Sequence, residues 1–348
     1  MRRREFISLF GAAVVLPFAA RPLHADKLER NEGLQEGIMA PRTIVAVAIG
    51  DSRFEQVIKN ADDDLSNVRP YISGLIKGLS TFQVGRDYEI IYRERQQGDL
   101  DGAFRVNAAP SNQLIFCMST TVTKAAQAFT DSIPIVGIVS NPGRENVTAG
   151  RNICGVSARR SQTAGDCCER FLKTVTSLRE IRVLHKANYN PSVEALAQVK
   201  AAAAPHGVMV TEVAVASAAD IADKLGNMPA RDPATEPATV GIQVLPADVC
   251  FGAAQSIIKI AQAQKRLPTF FPVTDWVRHD PPSALGGYGV PQERSGQLLA
   301  EQVALIWQTG NIPAHRFKDA SDSEFKWLAS RAAARTLNIN LPSDVPTV

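Results

Sequence analysis

From residue 43 onward the chain alternates between two hydrophobic rhythms. Residues 43–49 form a continuous, largely β-branched run that stops at Gly50, the pattern of a strand buried on both faces. Residues 68–81 space their apolar positions three and four apart, which predicts a helix. Residues 88–93 and 114–118 then read as strands, 122–129 as a helix and 133–139 as another strand. Beyond residues 151–156 the alternation restarts. Helices are expected over 161–176, 192–204, 219–228 and the alanine-rich 249–265, with strands over 181–185, 208–215, 239–245 and 267–273 between them. A long amphipathic helix is expected over 293–309, and 324–328 is a candidate last strand before 331–337.

Strand–helix alternation predicts parallel sheets with helices on both faces, and its restart predicts two similar lobes. The expected fold class is therefore α/β, with two doubly wound parallel-sheet lobes. The expected division is 1–25 as a leader, 26–42 as a polar linker, 43–152 with 289–312 as the first lobe, and 153–280 with 313–348 as the second. Ligands of open α/β sheets bind beyond the C-terminal ends of the strands. Candidate site residues are accordingly those that follow the strands: Asp51, Ser119, Thr120, Thr121, Ser140, Asn141, Asn188, Tyr189, Asp248, Asp275 and Trp276.

Each of these carries two readings. Ser119-Thr120-Thr121 stands between a buried strand and a helix, where hydroxyls and free N–H groups favour a carboxylate, or where one hydroxyl simply caps the helix. Asp248 precedes a helix and can pair with a ligand ammonium or serve as its cap. Asn188 and Tyr189 suit hydrogen bonding and stacking, or a turn before Pro191. Trp276 can wall an apolar pocket or pack in the core.

Enzyme signatures are missing: no GxGxxG follows a strand, and there is no GxxxxGK[ST], GxSxG or HExxH. The histidines are scattered without paired spacing, and no carboxylate pair is set for acid–base work. Five cysteines, Cys117, Cys154, Cys167, Cys168 and Cys250, form no CxxC, so packing with at most one disulfide is expected, without metal or cofactor.

The N-terminus changes the charge reading. Arg3-Arg4 is followed by an apolar run over 9–20 and the small-residue end Leu23-His24-Ala25, the order of a cleavable twin-arginine export signal. The chain has 38 Lys and Arg against 35 Asp and Glu; removing four arginines and Glu5 with the leader leaves 34 of each sign. The slight basicity thus belongs to the leader and gives no ground for expecting a nucleic-acid partner. The later chain has no run long and apolar enough for a bilayer span, which needs about 20 residues. Cleavage near Ala25 and a periplasmic location are expected.

Several segments, in order, carry a family likeness. The leader 1–13, Gly74–Leu79 with Gly85–Arg93, Ile133–Val136 with Asn141-Pro142 and Asn146–Thr148, Gly289 with Gly296, and 325–342 together resemble the tryptophan/tyrosine-type substrate-binding proteins of ABC transporters. The likeness spans nearly all of 42–345. It implies a type I periplasmic-binding-protein fold whose lobes are joined by a three-crossover hinge and close on a ligand. It further implies Thr120 and Thr121 at a ligand carboxylate, Asp248 at an α-amino group, and Asn188 and Tyr189 on the second-lobe wall. The sequence departs from the family at Ser140-Asn141-Pro142, where an acidic residue commonly precedes the proline. The expected function is delivery of a small solute, an amino acid or related carboxylate, to an ABC permease in the inner membrane by a monomer. The alternatives are an exported enzyme, or a ligand-sensing subunit of the same fold.

Overall fold

The computed structural model describes residues 41–50, 53–60, 62–96, 98–100, 102–106, 112–147 and 151–348. The expected leader, most of the linker and Asp51 lie outside the described residues.

The first sheet is built from β1 (Arg42–Ile49), β2 (Phe54–Ile58), β3 (Tyr88–Arg95), β4 (Gln113–Cys117), β5 (Ile135–Val139), β6 (Ile153–Ser157) and β12 (Phe317–Asp319). Their order across the sheet is β12-β6-β5-β4-β1-β3-β2, parallel except for β2, which runs antiparallel to β3 at the edge. The second sheet has β7 (Glu180–His185), β8 (Met209–Ala214), β9 (Val240–Val244), β10 (Thr269–Phe271), β11 (Gly286–Gly289) and β13 (Lys326–Ala329), in the order β13-β11-β10-β9-β7-β8. Only β13 is antiparallel there. The most apolar strands lie inside the first sheet: β4, β5 and β6 are buried at every position, as strands covered on both faces must be.

Helices cover both sheets: α1 (Pro70–Gly78), α2 (Thr120–Phe129) and α8 (Gln292–Thr309) on the first, α3 (Ala164–Thr174), α4 (Asn190–Ala203), α5 (Ala218–Gly226) and α9 (Arg331–Thr336) on the second. The alanine-rich segment is not one helix. It divides into α6 (Asp248–Gly252) and α7 (Ala254–Ile257), and α7 runs on into a π-helical stretch over Ile258–Gln264. Gln262 in that stretch is buried and bonds Ser283 O and Thr269 Oγ1, so the wide turn aims an amide at the neighbouring strand and loop.

Strand pairing corrects the expected lobe boundaries. Residues 153–157, placed in the second lobe by the restarted alternation, pair with β5 in the first sheet. Residues 317–319, also expected in the second lobe, extend that sheet beyond β6. Gly289, expected in the first lobe, belongs to β11 of the second sheet. A short apolar run records burial but not its pairing partner, so sheet membership next to a crossover is invisible in pattern. The chain thus passes between the sheets three times, after β6, after β11 and after β12. Strands β2, β11 and β12 carry weak pattern: an alternating polar edge, a glycine-rich Gly-Gly-Tyr-Gly and a three-residue piece.

One helix contact sets up the cleft. A Cβ on Gly296 of α8 would collide with the Tyr71 carbonyl oxygen, and one on Gly74 of α1 with that of Glu293. Only glycine allows these backbones to approach so closely, and the approach fixes the starts of α1 and α8 side by side.

Candidate functional site

The first-lobe wall is the junction of β4 and α2. Ser119 is the N-cap, and its Oγ accepts a hydrogen bond from Val122 N at 3.3 Å. Thr120 is buried, and its Oγ1 accepts from Ser140 N at 3.1 Å, tying the start of α2 to the end of β5. Thr121 stays half-buried, facing the second lobe.

The second-lobe wall is α6, which follows β9 across Pro246-Ala247. Ala247, not Asp248, holds the N-cap position, and no side chain caps this helix. Asp248 reaches over to the Thr121 and Ser119 hydroxyls of the other lobe. Its residue surface is partly open, but its Oδ2 is buried and has no hydrogen-bond partner among the described residues. Burial pushes this carboxyl above the usual carboxylate range, against the pull of those hydroxyls and of the Lys186 and Arg160 charges. One turn on, the Phe251 ring lies under the Arg160 guanidinium, 5.3 Å from its centroid.

The crossovers supply the rest. Arg160, after β6, is buried; its Nη2 donates to Tyr71 Oη at 2.7 Å, while its Nε has no partner. Asp275, after β10, accepts the backbone N–H of Gln292 on both oxygens, at 3.0 and 3.2 Å. It therefore sits at the N-terminus of α8, where a carboxylate is favoured. Burial still raises its pKa to about 6, opposed by the Gln292 N–H and the Arg160 charge. Arg69 donates from Nε to Glu94 Oε1 at 2.7 Å, and Tyr92 Oη donates to the same oxygen at 2.6 Å. Between the walls lies a cavity of about 30 Å³ bordered by Tyr71, Ser119, Asp248, Phe251 and Gln292, enough for roughly one water. Wider grooves of about 490 and 270 Å³ flank α6 on either side.

The structure brings Ser119, Thr121 and Asp248 together across the lobes. Tyr189 joins them from the second lobe. Burial, with the nearby Asp248 charge, holds its phenol above the usual range, against the pull of the Thr120 and Ser140 side chains. Asn141 donates from Nδ2 to Glu194 Oε2 of α4 at 3.2 Å, and its Oδ1 accepts from Arg144 N, so it bridges the lobes while closing a turn. Asn188 is exposed in the turn before α4. Trp276 packs against Phe271 and Phe251, with centroids 4.8 and 5.4 Å away, within the second-lobe core, and it also borders the mouth of the cleft.

Reading only the strand ends missed Arg69, Tyr71, Arg160, Phe251 and Gln292. Phe251 could have been found as the residue three after Asp248, on the same helical face. Arg160 and Gln292 lie just past the crossovers, and Arg69 and Tyr71 at the start of α1; no local pattern marks them.

Among the described residues no group of three or more His, Cys, Asp or Glu could hold a metal ion. All five cysteines are free and buried, and burial raises each thiol above its usual range. No described helix is long and apolar enough to cross a membrane.

Known structures share this architecture. A conserved domain protein from Vibrio cholerae superposes with a TM-score of 0.67 at 20% identity, covering 89% of this chain and 100% of its own. An ABC domain from Streptococcus pneumonia in complex with L-Trp gives 0.65 at 16%, covering 88% and 100%. A carbohydrate transporter from Acidothermus cellulolyticus in complex with myo-inositol gives 0.51 at 11%, covering 86% and 98%. No curated protein sequence matches the chain at a significant level. The family model described as ABC transporter substrate binding protein matches residues 66–347. With two sheets, three crossovers and a cleft at the strand ends, this chain belongs to the ABC transporter substrate-binding protein family and has its type I periplasmic-binding fold.

Proposed function

We propose that this protein captures a small zwitterionic solute, an amino acid or a close relative, in the periplasm and presents it to an ABC permease. Family membership carries the small-molecule ligand and the permease; the zwitterion is the further step. One observation supports it most. Asp248 of the second lobe, with a buried and unanswered carboxylate oxygen, stands opposite the N-terminus of α2 in the first. A helix start lined by Ser119 and Thr121 favours a carboxylate, and a buried aspartate favours an ammonium. A ligand held at both ends spans the lobes. The Ser119 and Thr121 hydroxyls lie beside Asp248, with room for about one water between the walls, so an amino acid entering there must part them. Tyr189 and Phe251 flank the meeting point and offer aromatic surface to a side chain.

On this reading the protein works without turnover, and export delivers it to the compartment where the permease faces its ligand. The Arg3-Arg4 leader pattern supports that location. The experiment is a thermal-shift screen of amino acids, carboxylates, sugars and polyols, since a ligand that binds only the native state raises its stability. Amino acids should shift the transition. A shift with sugars or polyols alone would replace the zwitterion with a neutral solute, and the Arg69–Glu94 pair at the cleft mouth would then hold its hydroxyls.

A further inference from the structure

The cavity beside Asp248 is bordered by two residues that each bury an acceptor atom with no partner among the described residues: Asp248, through Oδ2, and Gln292, through Oε1. They come from different parts of the fold. Asp248 opens α6 of the second lobe, and Gln292 opens α8, the helix that carries the chain back to the first. Gln292 is only 5% exposed. Its backbone N–H is the group that Asp275 holds, which leaves the side-chain oxygen uncommitted. Its place is also preset, because the close approach of α8 to α1 at Gly296 and Gly74 leaves the helix no room to slide. Burying an acceptor without a donor costs free energy, and two residues that border one small cavity and each bury such an atom share one remedy, a group with several donors.

We propose that Asp248 Oδ2 and Gln292 Oε1 together hold the primary ammonium of the ligand, which makes the crossover helix part of the binding site. The proposal rests on the solute-capture reading above and adds a residue and a selection rule. An ammonium carries three donors, so one can go to the carboxylate and another to the amide oxygen. A hydroxyl or an N-acetyl amide offers one donor and no charge. Either would leave one of the two acceptors buried and unanswered, so the 2-hydroxy and N-acetyl counterparts of an amino acid are rejected. Asp248 supplies the charge; Gln292 reads the number of donors.

The test is calorimetric titration of the full chain and of Gln292→Met and Gln292→Glu. The probes are the protein amino acids one at a time, the 2-hydroxy and N-acetyl forms of any that bind, and a set of neutral sugars and polyols. The expected result is that the deaminated and acetylated forms bind at least about tenfold more weakly than the amino acid, the loss of roughly one hydrogen bond to a charged group. Gln292→Met should lose about tenfold toward the amino acid, and Gln292→Glu, which keeps an acceptor at that place, should restore most of it. A 2-hydroxy acid bound as tightly as its amino acid, or unchanged affinity in Gln292→Met, would overturn the ammonium assignment and leave solute capture standing. Binding of sugars or polyols alone, or of no probe, would overturn this proposal and the amino-acid reading together. Should Gln292→Met fail to fold, the analogue series on the unaltered protein and the Gln292→Glu titration decide the matter.

Discussion

Two adjacent strands of the second sheet each deliver an aspartate to the cleft, and the two meet opposite fates. Asp275, after β10, has both oxygens within hydrogen-bonding distance of the first N–H of α8. Asp248, after β9, keeps one oxygen buried without a donor. Burial raises the pKa of both. Burial of a carboxylate therefore does not by itself mark a binding site; what separates the two is whether the oxygens are answered from within the fold. Asp275 braces the crossover, while Asp248 holds a capacity for a donor that no described residue fills.

The largest expected effect tests the unanswered member. Asp248→Ala should weaken binding of an amino-acid ligand by about ten- to a hundredfold, the loss of a charge-assisted hydrogen bond of roughly 1.5–3 kcal/mol. Its melting temperature should hold or rise, because the variant removes a buried, unpartnered oxygen. Calorimetry and thermal unfolding on one preparation read both. Reduced stability with intact affinity would make Asp248 a second brace and erase the contrast.

Asp275→Ala should show the reverse. At acidic pH, below the Asp275 value of about 6, losing the partner of the α8 N-terminus should cost about 1–2 kcal/mol of stability, while affinity at neutral pH should change by less than about threefold. A drop of a few degrees in the unfolding transition is the expected reading. If affinity collapses while stability holds, Asp275 belongs with the ligand instead.

Acid titration sharpens the comparison further. The Asp275 pKa is raised from 3.8 to about 6 in the folded protein. Folding therefore favours its protonated form, and the stability it contributes is full below pH 3.8 and lost as pH rises to about 6. Thermal unfolding across that window should show Asp275→Asn gaining on the unaltered protein as pH increases. Asp248 shifts in the same direction, so affinity for an ammonium should weaken as falling pH protonates it. Affinity that does not change on acidification would count against Asp248 as the ammonium partner.

The smallest effect is expected outside the pair. Asn141→Ala removes the bond to Glu194 that joins the lobes beside the cleft. A single part-exposed hydrogen bond contributes about 0.5–1.5 kcal/mol, so affinity should move by no more than a few-fold. A larger change, read by the same titration, would make lobe closure and not the aspartates the main source of affinity.

Much of the architecture was legible in pattern. The β-branched run before Gly50 is β1, and the apolar pieces around residues 115, 137 and 183 are central strands. Ser119 reads as a helix start and is one. Of the candidate residues, Ser119, Thr121, Tyr189 and Asp248 do converge after their strands. Trp276 and Asn188 were open between two readings, and the fold puts one against Phe271 and leaves the other exposed. Arg160, Tyr71 and Gln292 carried no signal at all, because each gains its place from a partner far along the chain.

The sequence alone determined the alternation of elements, the likeness to solute-binding proteins and the residues that end the strands. Those are local properties: a buried strand needs apolar residues on both faces, and a helix start needs a donor or acceptor within a few residues. Tertiary structure decided which sheet Ile153–Ser157 and Phe317–Asp319 enter, which aspartate is braced and which is left open, and that Gln292 reaches the cleft. These depend on backbones that meet across the crossovers, at Gly74 and Gly296 above all, where the fit is set by the absence of a side chain. Pairing, bracing and the distance between two helices are relations between remote segments, and hydrophobic periodicity records only what each segment buries.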